Sequence, residues 1–351
     1  MRSRDAPCWR PPGQYVWDTW FAQVQGRLHA FFLQASREAC GGDPERRHDL
    51  SSIGHVVRSP RGFEPCGPQP ALQAAPAPAW DDLALWTGSV VEAAPFSPFA
   101  LFYTARGRAD TPVATPHERQ RPQQIGVAYS DDLVAWRRSP RSARGPVIGN
   151  PGAAAGLDGV AWRDPYVLRE GACFHAFICA RLAPHEATED AGGALVHVAG
   201  ASPEEWGEPR VLVASLDFYQ MEVPQVFWRR SARSQRFYLL FSAQTQDCSA
   251  RRRGRLPTQE CRTGTYWMAS EELPLGFPGF PPLRESARLL APGLYSGKLV
   301  NPETEETPLL FGFPWPSPGE PFVGGICERG RLRFRPSGEL EMIVPEATAA
   351  R

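Results

Sequence analysis

Lysine is nearly missing from this chain of 351 residues: Lys298 is the only one. The other basic residues are arginines, and 38 basic residues balance 38 acidic ones. No excess of one sign is available to grip nucleic acid or an anionic membrane, so neither is expected as a partner. Arg251-Arg252-Arg253 lies in a polar stretch and is expected as a solvated loop. Long apolar runs are missing too. None approaches the roughly 20 residues needed to span a bilayer, and Met1 to Gln14 lacks the apolar stretch of a signal peptide. No segment keeps a long i, i+3, i+4, i+7 pattern, so little helix is expected. The eight cysteines (Cys8, Cys40, Cys66, Cys173, Cys179, Cys248, Cys261, Cys327) form no C-x-x-C pair. That excludes the common zinc and redox spacings and predicts reduced thiols in a cytoplasmic protein. P-loop, dinucleotide and G-x-S-x-G signatures are lacking. No set of His, Cys and carboxylates has metal spacing, so neither metal nor cofactor is expected.

What is abundant is punctuation and aromatic bulk. The 32 Gly and 37 Pro are spread evenly between short apolar runs, as turns between strands require. Eleven Trp and nineteen Phe supply strand-forming core residues. Trp also commonly lines sugar sites, where its flat face stacks on C–H groups.

One short aromatic strand recurs five times. It reads Leu28-His29-Ala30-Phe31-Phe32-Leu33, Phe99-Ala100-Leu101-Phe102-Tyr103, Phe174-His175-Ala176-Phe177-Ile178, Arg236-Phe237-Tyr238-Leu239-Leu240-Phe241 and Thr307-Pro308-Leu309-Leu310-Phe311. Positions 31, 101, 176, 239 and 310 are separated by 70, 75, 63 and 71 residues. Near-equal steps along the whole chain predict radial repetition. A unit of about 70 residues with about four short strands is one propeller blade. The expected fold is all-β: a single-domain five-bladed β-propeller over residues 15–344, without a C-terminal β-sandwich. Residues 1–14 read as an N-terminal extension and 345–351 as a tail. The bland rival is a β-sandwich with chance periodicity, which needs no five-fold long period.

The chemistry-bearing residues sit at one phase of this repeat, some 12 to 17 residues before each marker. There the chain reads Trp17-Asp18-Thr19-Trp20, Trp86-Thr87-Gly88-Ser89, Trp162-Arg163-Asp164-Pro165, Met221-Glu222-Val223-Pro224 and Tyr295-Ser296-Gly297-Lys298. Equivalent positions of a radial repeat converge on its axis. Asp18, Asp164 and Glu222 are therefore expected in one central pocket. A single Asp in such a chain is usually a surface turn residue; three carboxylates at one phase are harder to dismiss. Glycosidic cleavage needs such a set: one carboxylate at the anomeric carbon, and a protonated one to give the leaving oxygen its proton. Their pKa values must be driven apart, which clustering and burial achieve.

The four segments around Asp18, Trp86, Asp164 and Glu222 resemble the motifs of the β-fructosidase superfamily. That group comprises glycoside hydrolase families 32 and 68 and, more distantly, 43. Trp-Asp-x-Trp is more similar to family 68, Glu-x-Pro to family 32, and Arg-Asp-Pro to both. The resemblance implies Asp18 as nucleophile, Asp164 as stabiliser gripping sugar hydroxyls with Arg163, and Glu222 as acid/base. It further implies sugar contacts at Gln34 and Ser89, and Trp17, Trp86 and Trp162 as subsite walls. Two departures stand out: Thr19 follows Asp18 where family 32 has Pro, and Val223 follows Glu222 where family 68 has Arg. The implied activity is retaining hydrolysis of a β-fructofuranoside such as sucrose or a short fructo-oligosaccharide. Fructosyl transfer, an inverting family 43-like hydrolase and a non-catalytic sugar-binding propeller are the alternatives. In each case the partner is a small carbohydrate. Of the histidines, His29, His55 and His175 read as packed strand residues, and His48 as a weak candidate to face the funnel.

Overall fold

The computed structural model describes residues 8–114, 119–184, 186, 188–283 and 286–343. Five antiparallel sheets form five blades. Blade one holds strands Gln14–Val24, Arg27–Ser36, Ser52–Ser59 and Gly62–Pro65. Blade two holds Ala84–Ala93, Ser97–Arg106, Gln124–Ser130 and Arg137–Arg138. Blade three holds Leu157–Glu170, Cys173–Leu182 and Gly193–Ser202, edged by Glu205–Trp206 and Arg210–Ala214. Blade four holds Glu222–Arg230, Ser234–Ala243, Gly264–Ala269 and Arg288–Pro292, with Leu273–Pro274 beside its second strand. Blade five holds Leu294–Leu299, Leu309–Pro314, Ile326–Phe334 and Leu340–Ile343. The first strand of each blade is innermost and touches the first strands of both neighbouring blades, closing a ring. The all-β five-bladed expectation holds.

The repeated aromatic segments fall on the second strand of each blade, and packing explains their composition. Successive side chains of a strand point to opposite faces. In blade one, Phe31, Leu33 and Ala35 join Leu101 and Tyr103 of blade two. Ala30 and Phe32 join Phe311 and Ile326 of blade five. A strand covered on both faces needs an unbroken apolar run rather than alternation.

Two local readings change. Among the described residues the only α-helix is Ala250–Arg255, which contains the arginine run. Arg252 is fully buried there, not solvated. It donates to the carbonyls of Glu260 and Ala287 and lies over the Phe218 ring. The N-terminal stretch is also drawn into the propeller. Cys8–Trp9 pairs with Ile326 and Cys327 at the start of blade five's third strand. Cys8 and Cys327 form a disulfide, which corrects the expectation of reduced thiols at these two positions. The other six cysteines are free.

The bond ties together residues separated by 319 positions. Constraining so long a loop restricts the unfolded chain, an effect of about 2–5 kcal/mol when such a bond is removed. Reduction, or the Cys8→Ser/Cys327→Ser double substitution, should lower Tm by several degrees. Peptide mapping without reductant should recover the Cys8–Cys327 linked fragment. Free thiols at both positions would refute the pairing.

Candidate active site

Every inner strand breaks register with its second strand at the same level. The breaks lie between Trp17 and Thr19, Trp86 and Gly88, Arg163 and Tyr166, Glu222 and Gln225, and Tyr295 and Lys298. These are β-bulges, which bend a strand and re-aim a side chain. In four blades the bulged residue has left-handed backbone: Asp18 (φ 41°), Asp164 (58°), Val223 (50°) and Ser296 (53°). Blade two uses Thr87 followed by Gly88, where a Cβ would meet the Phe102 carbonyl oxygen at 1.8 Å. Two residue rings result. One contains Asp18, Thr87, Asp164, Val223 and Ser296. The other, one residue earlier, contains Trp17, Trp86, Arg163, Glu222 and Tyr295. Glu222 is thus one step out of phase with the two aspartates, a correction to the single phase read from the sequence.

The three carboxylates do converge. Arg163, buried, donates Nη2 to Glu222 Oε1 at 2.8 Å and places Nε 3.7 Å from Asp164 Oδ2. Asp164 Oδ2 accepts the Val223 amide at 2.9 Å, and Oδ1 accepts the Thr87 hydroxyl. The Tyr295 hydroxyl donates to Glu222 Oε2. Gln123 and Gln220 hold the Arg163 guanidinium through their carbonyl oxygens. Lys298 Nζ donates to the carbonyls of Val223 and Pro224 at 2.6 and 2.7 Å. Asp18 stands in the field of this group, and its buried Oδ1 has no hydrogen-bond partner among the described residues.

Burial pushes the Asp18 carboxyl well above the usual carboxylate range, helped by Asp164 and Glu222 and opposed by Arg47 and Lys298. Burial likewise raises the Tyr295 phenol, with Glu222 adding to it. Burial lowers Lys298 to about 7, against the pull of Asp164 and Asp18.

The other expected site residues divide. Arg163 belongs to the cluster. Trp86 is half-buried, with its indole N–H on the His48 carbonyl at 2.9 Å and Arg106 over its ring. Trp17 is buried behind Arg47 and His48, whose groups lie 5.5 and 6.1 Å from its ring. Trp162 forms no wall. It is fully buried between blades two and three and donates to the Ile148 carbonyl. Ser89 is engaged in joining blades: its hydroxyl donates to Pro165 O at 2.8 Å and accepts from Val167 N at 2.9 Å. Gln34 lines a cleft with Trp9, Phe32 and Ser52 whose lining includes none of the three acids. His48 sits between Trp17 and Trp86, and burial beside Arg47 and Arg106 holds its pKa well below the ordinary value.

Thr87, Gln123, Gln220, Tyr295, Lys298 and Arg47 were not foreseen. Thr87, Tyr295 and Lys298 carried a usable signal, since they lie within the aligned repeat segments. His29, His55 and Cys66 also come together on blade one, although no metal spacing is visible in the sequence.

Neither a protein-family model nor a curated protein matches this chain. Solved structures do. A Bombyx mori GH32 β-fructofuranosidase superposes with a TM-score of 0.63 at 16% identity, over 98% of this chain and 65% of that one. The chain therefore spans just under two thirds of that enzyme. Bacillus subtilis levansucrase gives 0.66 at 12% identity, over 95% and 87%. A levansucrase complexed with sucrose gives 0.66 at 13% identity, over 95% and 87%. At such identities the shared property is the fold alone.

A stability prediction follows from Asp18. Its proton is held in the folded chain at pH values where the unfolded chain has lost it. Stability contributed this way is present below the unfolded pKa and is lost as pH rises toward the raised folded one. Asp18→Asn removes that loss. At pH 7 its Tm should exceed that of the wild type, and the gap should close as pH falls to about 4. An equal or lower Tm at pH 7 would sink the argument.

Proposed function

We propose that this protein is a retaining glycoside hydrolase acting on a β-fructofuranoside such as sucrose or a short fructo-oligosaccharide. The observation that carries the proposal is the convergence of Asp18, Asp164 and Glu222 at the axis, with Arg163 bridging the latter two. The propeller is one also found in a β-fructofuranosidase and a levansucrase. In the proposed first step the Asp18 carboxylate bonds to the anomeric carbon while the bond to the glycosidic oxygen breaks. Glu222 transfers its proton to that oxygen. In the second step water gives a proton to Glu222 and its oxygen to the sugar, releasing Asp18. Tyr295 and Arg163 hold the two oxygens of Glu222 in place through both steps. Asp164 and Arg163 grip sugar hydroxyls in this scheme, and Trp86 offers a ring at the site's edge. A sugar hydroxyl taking the place of water would make the same chemistry a fructosyl transfer. The substrate is a small carbohydrate.

Incubation with sucrose should release fructose and glucose in equal amounts if water is the acceptor. Excess glucose with lengthening products marks transfer. Glu222→Gln should reduce kcat by about 10²–10⁴-fold on unactivated substrates. No release from sucrose or short levan and inulin oligomers by the folded protein would reject the fructoside reading.

Lys298 supplies a second test. Its positive charge opposes the rise of Asp18, which must be ionised to attack. Lys298→Met should therefore move the acid limb of kcat/KM to higher pH. An unmoved limb would show that Asp18 does not set it.

A further inference from the structure

We infer that blade one carries a zinc site built from His29, His55 and Cys66, separate from the carboxylate cluster. His29 lies on the second strand, His55 on the third, and Cys66 directly after the fourth. His29 Nδ1 is 3.0 Å from His55 Nε2, and Cys66 Sγ is 3.3 Å from the same nitrogen. All three ligand atoms lie within 4.8 Å of one another. Zinc bonds of about 2.0–2.1 Å to nitrogen and 2.3 Å to sulfur put tetrahedral donors roughly 3.3–3.6 Å apart. The two pairs that involve His55 are already near that spacing, and His29 and Cys66 would close from within 4.8 Å on binding.

The internal repeat supplies a comparison. Blade three has the same histidine pair at the same strand positions, with His175 Nδ1 and His197 Nε2 3.1 Å apart. There the pair is covered by the Phe280 ring, 5.2 and 4.8 Å from the two imidazoles. The histidine pair alone is therefore a packing feature of the repeat. In blade one a thiol lies against the pair instead, and it turns the pair into an N₂S donor set.

The surroundings fit a ligand set. Phe31 stacks on His55 at 4.1 Å and 5°, fixing the imidazole plane. Gln69 clasps the His55 backbone, accepting from its N–H at 3.1 Å and donating to its carbonyl. Both histidines are buried, whereas Cys66 is half-exposed and opens the fourth position to water. Arg27 opposes a cation here and Asp132 favours one. On binding, the Cys66 thiol gives its proton to solvent and the thiolate takes the metal. The bound ion joins Cys66 to the second and third strands.

Cobalt(II) reads this directly, because thiolate ligation produces a sulfur-to-metal charge-transfer band. Chelator-treated full-length protein should develop that band with one equivalent of cobalt(II), and zinc should bleach it. Zinc should also raise Tm. Cys66→Ser should abolish the band and the Tm shift, whereas His175→Ala should retain both. The absence of a band in the wild type would overturn the site. So would a band that survives in Cys66→Ser.

Discussion

The inner-strand bulge is the constraint on which the rest depends. A regular strand would send its side chains alternately into the two neighbouring blades. One extra residue turns a side chain toward the axis instead. Left-handed backbone costs roughly 1–3 kcal/mol at a non-glycine residue, and four blades carry one. The compensation comes from the preceding blade. Thr104 of blade two accepts the Asp164 amide of blade three. Asp164 accepts the Val223 amide of blade four, and Ser242 of blade four accepts the Ser296 amide of blade five. Amides freed from the ladder are thereby satisfied, as buried polar groups must be. The same bonds hold neighbouring blades in register.

Asp164 consequently has two duties. It secures the blade-four bulge through Val223, and it stands beside Arg163 in the carboxylate cluster. Its oxygens are occupied by Thr87 and Val223. A residue so fixed can orient a ligand but not move to attack one. Asp18 is the opposite case, with a buried oxygen that has no partner among the described residues. That contrast gives the proposed division of labour between two aspartates at the same ring position.

The propeller was legible because its second strands are buried on both faces. Such burial forces an unbroken aromatic run, and Phe31, Phe102, Phe177 and Phe241 report it. The acids were legible because the repeat is radial. The exact phase of Glu222 was not, since the bulge in blade four falls on Val223 and leaves Glu222 one step earlier. The family resemblance misled at Trp162 and Ser89: an indole and a hydroxyl can serve a packed interface as well as a sugar. Arg47 and Gln220 lay outside the aligned segments, so only the folded chain brings them to the site. The histidine pairs were visible as repeated strand residues, but Cys66 joins one of them only through folding.

Charge distribution then decides how the cluster behaves. Three carboxylates face Arg163, Arg47 and Lys298. Arg163 is committed to Glu222 and its two glutamines. Lys298 is spent on two carbonyls, and Arg47 lies against the Trp17 and Phe322 rings. Asp18 is left with the weakest compensation, which is why burial and its acidic neighbours raise it. Under the proposed reaction this imbalance has a use. The oxocarbenium-like state places positive charge beside Asp18, where protein cations are already engaged. A preorganised site stabilises most strongly the charge that appears only in the transition state. The same shortage of cations that disfavours ionised Asp18 favours a positively charged sugar ring next to it.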